Sequence, residues 1–439
     1  MARRIYYDGF NLSLEQGTGI LTYTRMLTQV AQNLGNEIGV VYSARQKPSK
    51  NETMREIAFF DNRNAIKISK TKAWLGDVTD QVRCHFPIKP VPVELSGFVV
   101  SRQFASKLPA YDNIFVSRQL FGNARSYFAR TKNFVELTFD KQPDILHCTY
   151  QLPLRAKSAC NIYTIHDLVP LRLPFASLDN KRQSFRLLKK IAAEADHIVT
   201  VSEHSKRDIV TLLGVDEKRV TNTYQAVEFP KAYVERPDDI VAEQLDGSFG
   251  LEFGNYLLFY GALEPKKNVA RLIEAYLASG VDIPLVLVAS GGWENEAETK
   301  LLKMQKGKEQ SAESEKGRPA KRRIYHFDYM SIEMLVTVVK GARALLFPSL
   351  YEGFGLPVLE AMLLGTPVVT SGESSLPEIA GDAAIVVNPY EISDIARAIK
   401  TISGDADLRT ELSIRGRAQA AKFSVAKYEE RVKALYESL

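Results

Sequence analysis

Residues Leu345 to Gly381 read LLFPSLYEGFGLPVLEAMLLGTPVVTSGESSLPEIAG, and the order of residue types in this stretch decides the fold. The apolar run Ala344–Phe347 predicts a buried strand. A loop bearing Gly353 and Gly355 follows, then a short helix opened by Pro357, then a second buried strand over Pro367–Thr370. Proline suits a first helical position because the N–H it lacks would go unpaired there, and glycine leaves the backbone bare. The free N–H groups of such a helix start attract anions, phosphate above all. Yet two carboxylates, Glu352 and Glu360, bracket this loop and helix start. A carboxylate beside a phosphate is repelled unless it binds hydroxyls of the same ligand, and a sugar nucleotide carries both groups. Taken singly, Glu352 reads equally as a helix cap and Glu360 as a solvated surface group.

Taken whole, the strand–loop–helix–strand run, with Pro-Ser before Glu-Gly-Phe-Gly and Gly-Thr-Pro after it, resembles the donor-site signature of family 4 glycosyltransferases. These are retaining enzymes of the GT-B fold: α/β, with two Rossmann-like doubly wound domains facing each other across a cleft. The size agrees. A chain of 439 residues exceeds what one core usually holds, so two domains are expected. We place an acceptor-binding domain at 1–227, a nucleotide-sugar donor domain at 228–420, and a terminal helix at 421–439 that crosses back to the first domain, as the resemblance implies.

Composition narrows the setting. Hydrophobic residues make up 45% and charged residues 25%, ordinary for a water-soluble globular chain. There is no apolar run of about eighteen residues to span a membrane. The opening MARRIYYDGF runs directly into a strand without an apolar signal region, so a cytoplasmic location is expected. Three cysteines without metal spacing, Cys84, Cys148 and Cys160, read as reduced and mostly buried. The net charge of +5 is unevenly placed: residues 1–230 carry +10 and the remainder −5. That asymmetry fits either a plain solvated surface or an anionic partner, such as the inner face of the plasma membrane or a polyprenyl-diphosphate-linked acceptor. No nucleic-acid-binding signature accompanies it, so no nucleic acid partner is expected.

In chain order, the strand Arg3–Tyr7 is followed by DGFNLSLEQGTG and a helix with Ile20, Tyr23, Leu27, Val30, Ala31 and Leu34 at helical spacing. Gly17 and Gly19 let backbone approach a ligand at the carboxyl edge of the sheet; in the resembling family this loop lies near the diphosphate and the acceptor, with Asp8 a weaker candidate for orienting the acceptor. Residues 44–140 are the least legible, and in this fold they shape the acceptor site. Within them Val116–Phe139 reads either as a basic amphipathic helix for a membrane surface or as a core-facing aromatic stripe. His166 ends an apolar strand in the order His-Asp-Leu, which resembles the family's donor-sugar contact. Ser202 with Ser205 marks a helix start whose N–H groups suit acceptor or phosphate. Residues 226–253, with Pro230, Pro237, Gly247 and Gly250, read as a linker.

The second domain opens with a strand over Asn255–Tyr260, then Gly261-Ala-Leu-Glu-Pro-Lys266-Lys267-Asn268 and a helix. By resemblance Lys267 holds the donor diphosphate, with Lys266 where relatives carry Arg; Lys offers a point charge in place of Arg's planar fork. Ala262 stands where some relatives place a further phosphate-binding Arg. Trp293–Arg323 reads as a charged surface helix running into a mobile loop. In the resembling family a Gly often stands at position 328 and the next residue, here Tyr329, meets the base; Asp328 departs from that pattern, so guanine versus uracil stays open. Asp405-Ala-Asp407 matches a metal motif formally and is read as a helix cap, with no metal expected.

The resemblance therefore implies a metal-independent retaining transferase. It would move mannose or a related hexose from a nucleoside diphosphate, GDP first and UDP as the alternative, to a glycan or polyprenyl-diphosphate-linked acceptor in polysaccharide or lipopolysaccharide assembly. The nucleotide sugar is substrate, and no other cofactor is expected. Lys267 and Lys266 with the Gly353, Phe354, Gly355 and Leu356 backbone would take the diphosphate, beside Gly261. Glu360 would take ribose hydroxyls, Glu352 sugar hydroxyls, and His166 would complete the pocket. Catalytic roles fall to His166, Glu352 and Lys267. The rivals are an epimerase or phosphorylase of this architecture, for which the residues are lacking, and a non-catalytic nucleotide-sugar-binding partner.

Overall fold

The computed structural model describes residues 2–13, 19–61, 79–100, 108–289, 323–328 and 330–439. Two open sheets carry the chain. The first contains β1 (Arg4–Asp8), β2 (Glu37–Ala44), β3 (Val91–Val93), β4 (Asn113–Arg118), β6 (Ile145–Cys148), β8 (Cys160–Thr164), β9 (His197–Thr200) and β10 (Val220–Asn222). Its order is β10-β9-β8-β6-β1-β2-β4-β3, parallel except for β3 at the edge. β5 (Val135–Leu137) and β7 (Leu154–Ala156) pair separately. The second sheet contains β11 (Leu257–Tyr260), β12 (Leu285–Val288), β13 (Ile324–Phe327), β14 (Ala344–Phe347), β15 (Val368–Ser371) and β16 (Ala384–Val387), all parallel, in the order β13-β12-β11-β14-β15-β16.

Both orders reverse direction once, between β1 and β6 in the first sheet and between β11 and β14 in the second. Ligands of open α/β sheets bind at such a reversal, beyond the carboxyl ends of the strands. Helices cover both faces, which is why β6, β9, β11, β12, β14 and β15 are buried at every residue and why β11, β12 and β14 read as unbroken apolar runs.

The stretch 226–253, expected as a linker, instead carries helices over Lys231–Val234 and Asp238–Phe249. Pro237 precedes the second, Asp238 and Asp239 sit in its first turn, and Gly250 closes it in the left-handed conformation. Pro230, Pro237 and Gly250 are therefore caps, while Gly247 lies inside the second helix. Val241 and Leu245 are buried, and Arg236 pairs with Glu333 at 2.7 Å, so the stretch belongs to the second domain's surface. Val116–Phe139 is likewise no single helix: β4 ends at Arg118, a helix spans Leu120–Thr131, and β5 follows. Phe121, Tyr127 and Phe128 are buried in the core, so the aromatic-stripe alternative holds.

The last helix, Val425–Ser438, packs on the Gly19–Asn33 helix of the first domain. Tyr436 Oη lies 2.7 Å from Tyr7 Oη and 2.9 Å from His147 Nδ1, while His147 Nε2 lies 2.8 Å from Thr164 Oγ1. Burial lowers the His147 pKa to about 3, so this network is neutral. Cys84, Cys148 and Cys160 are free thiols. Asp405 caps the Ala406–Ala421 helix, accepting from Leu408 N at 2.9 Å. The segment Trp293–Arg323 lies outside the described residues apart from Arg323.

Candidate active site

The two sheet reversals face each other across a cleft of about 1100 Å³. From the second domain it is lined by Gly261, Lys266, Lys267, Glu352, Gly353, Phe354, Gly355, Leu356 and Glu360, and from the first by Gly19 and His166. Ala262 and Asp328 lie on the same wall as the lysines. Gly17 and Tyr329 lie outside the described residues.

The lysine loop is built just after β11. Pro265–Lys267 forms a single turn closed by Asn268, and the buried Asn268 side chain donates to the carbonyls of Pro348 at 3.0 Å and Pro389 at 2.7 Å. Leu350 N donates to Lys266 O at 2.7 Å. These bonds fix the lysine loop to the loop after β14. Lys267 Nζ donates to Glu352 Oε1 at 2.6 Å and stands 4.8 Å above the Phe347 ring. Burial alone would raise the Glu352 carboxyl; Lys267 and Lys266 outweigh it and hold the group below its ordinary value, ionised. Burial works against the charge on Lys266 too, but Glu352, Asp167 and Glu264 hold its ammonium above its ordinary pKa.

The loop around Glu352 is held from behind. Glu352 N donates to Ser374 Oγ at 2.8 Å, and Ser375 Oγ donates to the carbonyls of Glu352 and Phe354 at 3.0 and 2.8 Å. Gly355, at φ 108°, then opens the Leu356–Leu364 helix, whose first residues Leu356 and Pro357 line the cleft. Gly353 is required by proximity: a Cβ there would lie 2.5 Å from the carbonyl oxygen of His166 in the other domain. A Cβ at Gly19 would meet Leu356 at 3.0 Å, so the first domain's opening helix also touches this loop.

Glu360 accepts from Tyr260 Oη at 2.7 Å, and the same hydroxyl lies 3.0 Å from Pro357 O. Burial raises the Glu360 carboxyl; Tyr260 and Lys267 temper the rise. His166 Nε2 donates to Thr149 O at 2.9 Å, and its ring meets Tyr23 edge-on at 4.8 Å. Burial lowers its pKa against the pull of Thr149 O and Asp167, which keeps the imidazole neutral with Nδ1 as its acceptor.

Two expectations are corrected. Asp8 is buried beneath the cleft and accepts from the backbone and hydroxyl of Thr149 and from Phe10 N, so it organises the β1 and β6 ends and is not aimed at a ligand. The helix start after Ser202 is occupied: Glu203 N and His204 N donate to Glu378 of the second domain at 2.8 and 3.2 Å. A second tie joins Tyr351 Oη to Asp208 at 2.6 Å, beside Arg172. Here burial would raise the Asp208 carboxyl, but His204, Arg172 and Tyr351 hold it well below the usual range.

Sequence reasoning missed Tyr260, which orients Glu360, and a cation–aromatic stack on the opposite wall. There Arg125 lies 4.4 Å over Phe10, which stacks on Tyr150 at 5.4 Å. The available signal was position: Phe10 and Tyr150 each follow by two residues the strands flanking the first sheet's reversal, and Tyr260 ends the strand before Gly261. Among the described residues no group of three His, Cys, Asp or Glu is disposed to hold a metal ion, and no helix is long and apolar enough to cross a membrane.

Comparison with known proteins places the chain in a family. Residues 249–419 match the family described as glycosyl transferases group 1, and residues 98–228 match glycosyltransferase family 4. O-antigen chain mannosyltransferase B of Escherichia coli is 31% identical over 280 residues, covering 63% of this chain and 69% of that one. Serotype-specific mannosyltransferase WbdA of Escherichia coli is 27% identical over 60% of this chain, a match spanning 31% of WbdA. Among solved structures, Anabaena HepE in complex with UDP and glucose superposes over the full length of both chains with a TM-score of 0.62 at 15% identity, a likeness of fold. The fold is GT-B, and the chain belongs to the family 4 glycosyltransferases, group 1.

Proposed function

We propose that this transferase moves mannose, or a related hexose, from a nucleoside-diphosphate sugar to a glycan or polyprenyl-diphosphate-linked acceptor during bacterial polysaccharide or lipopolysaccharide assembly, with retention of configuration. As the C1–O bond breaks, negative charge grows on the diphosphate, and fixed cations and helix N-termini aimed at that position lower the barrier. Lys267, Lys266 and the Gly353–Leu356 backbone supply them. Glu360 takes the ribose hydroxyls. Glu352 takes sugar hydroxyls and steadies positive charge on an oxocarbenium-like centre, with neutral His166 completing the pocket. Attack on the same face, assisted by the leaving phosphate, gives retention.

The observation that carries this assignment is the 2.6 Å Lys267–Glu352 pair in a cleft that Glu360 and His166 also line. A cation matched to a diphosphate and carboxylates matched to hydroxyls then stand side by side. GDP-mannose is the first donor because the similar proteins named above are mannosyltransferases. A UDP-sugar is the alternative, favoured by the UDP complex of the fold neighbour. A thermal-shift screen of GDP, UDP and ADP with their sugars tests the donor, followed by product detection with acceptor. Stabilisation by GDP-mannose and its loss in Glu360→Ala are expected. Full transfer by Glu360→Ala would overturn the assignment, and donor binding without any hydrolysis or transfer would favour a non-catalytic binding partner.

A further inference from the structure

We propose that Tyr23 and Tyr436 are positioning residues for His166: a buried chain of hydrogen bonds from the Val425–Ser438 helix holds Tyr23, and Tyr23 holds the imidazole at the cleft. This rests on the role given to His166 above and adds the parts that set its ring. The chain runs Tyr7–Tyr436–His147–Thr164–Tyr23, in steps of 2.7, 2.9, 2.8 and 3.0 Å. None of these side chains is more than 4% exposed. Seating a helix does not require such a chain, because apolar contacts suffice, and Val432 and Leu435 of the same helix already supply them. Buried polar groups are costly unless each is matched, and each member of this chain has its partner. Neutral His147 offers one donor and one acceptor, so it passes the bond from Tyr436 to Thr164 in one sense.

The chain ends against the cleft. Thr164 closes β8 and His166 follows two positions on, so their side chains leave the same face. Tyr23 touches both, its hydroxyl on Thr164 and its ring edge-on to the imidazole at 4.8 Å. On the neighbouring β6, His147 and Thr149 are spaced in the same way, and Thr149 O accepts from His166 Nε2 at 2.9 Å. Thr24, next to Tyr23, donates to Thr149 Oγ1 at 3.1 Å. The Gly19–Asn33 helix thus governs both the ring's packing contact and the residue that its Nε2–H meets. Turning the imidazole would forfeit the Thr149 bond and the edge-on contact together, so Nδ1 keeps one direction.

The helix that carries Tyr23 also joins the two ends of the donor domain. Its first residue, Gly19, stands against Leu356 of the donor loop, and the Val425–Ser438 helix packs along it. Tyr436 therefore sets the imidazole from the chain end of one domain while His166 belongs to the other.

The test is a double-mutant cycle read in turnover by the full-length protein. Tyr23→Leu removes ring and hydroxyl and should lower kcat by about 10²-fold with donor KM little changed, because the donor is held by the second domain. Tyr23→Phe keeps the ring and should lose no more than about fivefold, the worth of one net hydrogen bond, and Tyr436→Phe should lose about as much. In a His166→Ala background none of the three should lower kcat further. Equal losses with and without His166 would mark a purely structural role and overturn the proposal. So would a Tyr23→Phe variant as impaired as Tyr23→Leu, since the ring contact would then carry nothing. All variants should keep the nucleotide-induced thermal shift. If Tyr23→Leu loses it through misfolding, Tyr436→Phe decides: the imidazole nitrogen resonances of His166, identified by their absence in His166→Ala, should move, and unmoved resonances overturn the proposal. Full turnover in His166→Ala would instead remove the role proposed for that residue, and the same resonances would still decide whether Tyr23 and Tyr436 orient it.

Discussion

Replacing Tyr260 by Phe removes one hydroxyl, and its consequence follows from geometry alone. That hydroxyl donates to Glu360 at 2.7 Å, and burial already raises the Glu360 carboxyl. A hydrogen bond to a charged group contributes about 1.5–3 kcal/mol. At about 1.4 kcal/mol per pKa unit, the Glu360 midpoint should rise by roughly one to two units. In the role proposed for Glu360, only the ionised carboxylate accepts from two ribose hydroxyls, so donor KM should climb as pH falls through that midpoint. In Tyr260→Phe the climb should begin about one to two pH units higher than in the wild type. Turnover at saturating donor should change little, because the ribose end is bound equally in ground and transition states. Stability carries the same sign. A carboxyl with a raised folded pKa contributes stability at low pH that is lost as pH rises through that pKa. The variant's Tm deficit should therefore be larger at neutral than at mildly acidic pH, on top of a pH-independent part from the lost Pro357 contact. The assay is donor KM against pH, with Glu360→Gln as the control lacking the limb. Superimposable KM–pH profiles for wild type and Tyr260→Phe would refute the role of Tyr260 and weaken that of Glu360.

Three further outcomes are expected. Lys267→Ala should lower kcat by roughly 10²–10³-fold with acceptor KM unchanged. It also strands Glu352, so Tm should fall, and adding Glu352→Gln should restore Tm without restoring turnover; wild-type kcat in Lys267→Ala would show that the diphosphate is held elsewhere. Gly353→Ala places a Cβ 2.5 Å from His166 O, so the domains should part at a cost of about 1–3 kcal/mol. Small-angle scattering should then report a larger radius of gyration with nucleotide binding retained, and an unchanged radius with full activity would contradict the close approach. Glu378→Ala frees the two amides it caps across the domain interface, so calorimetry should show one unfolding transition in the wild type and two in the variant; one unsplit transition in the variant would refute a coupling role for Glu378.

Local order was legible wherever residue type and backbone chemistry coincide. The run from Leu345 to Gly381 announced two buried strands, a bare loop and a proline-opened helix, because parallel strands covered on both faces must be apolar throughout and a helix start needs no N–H at its first position. The pairing of Lys267 with Glu352, 85 positions apart, was not written in either loop. It depends on the strand order that sets β11 beside β14 and on Asn268 tying the two loops together. Proline and glycine in 226–253 signalled chain punctuation, but whether they ended helices or formed a linker depended on Val241 and Leu245 finding a core to enter. The aromatic residues of the Leu120–Thr131 helix could face lipid or protein, and only the tertiary contacts chose protein. Sequence by itself thus determined the apolar strands and helix starts on either side of the cleft, as in Leu345–Gly381, since those depend on neighbours along the chain, while the described parts of 44–140, and 226–253, took their form from the cores they enter. Which charges meet and which amides are already taken, as by Glu378, were decided by tertiary structure, because electrostatics and burial act through space.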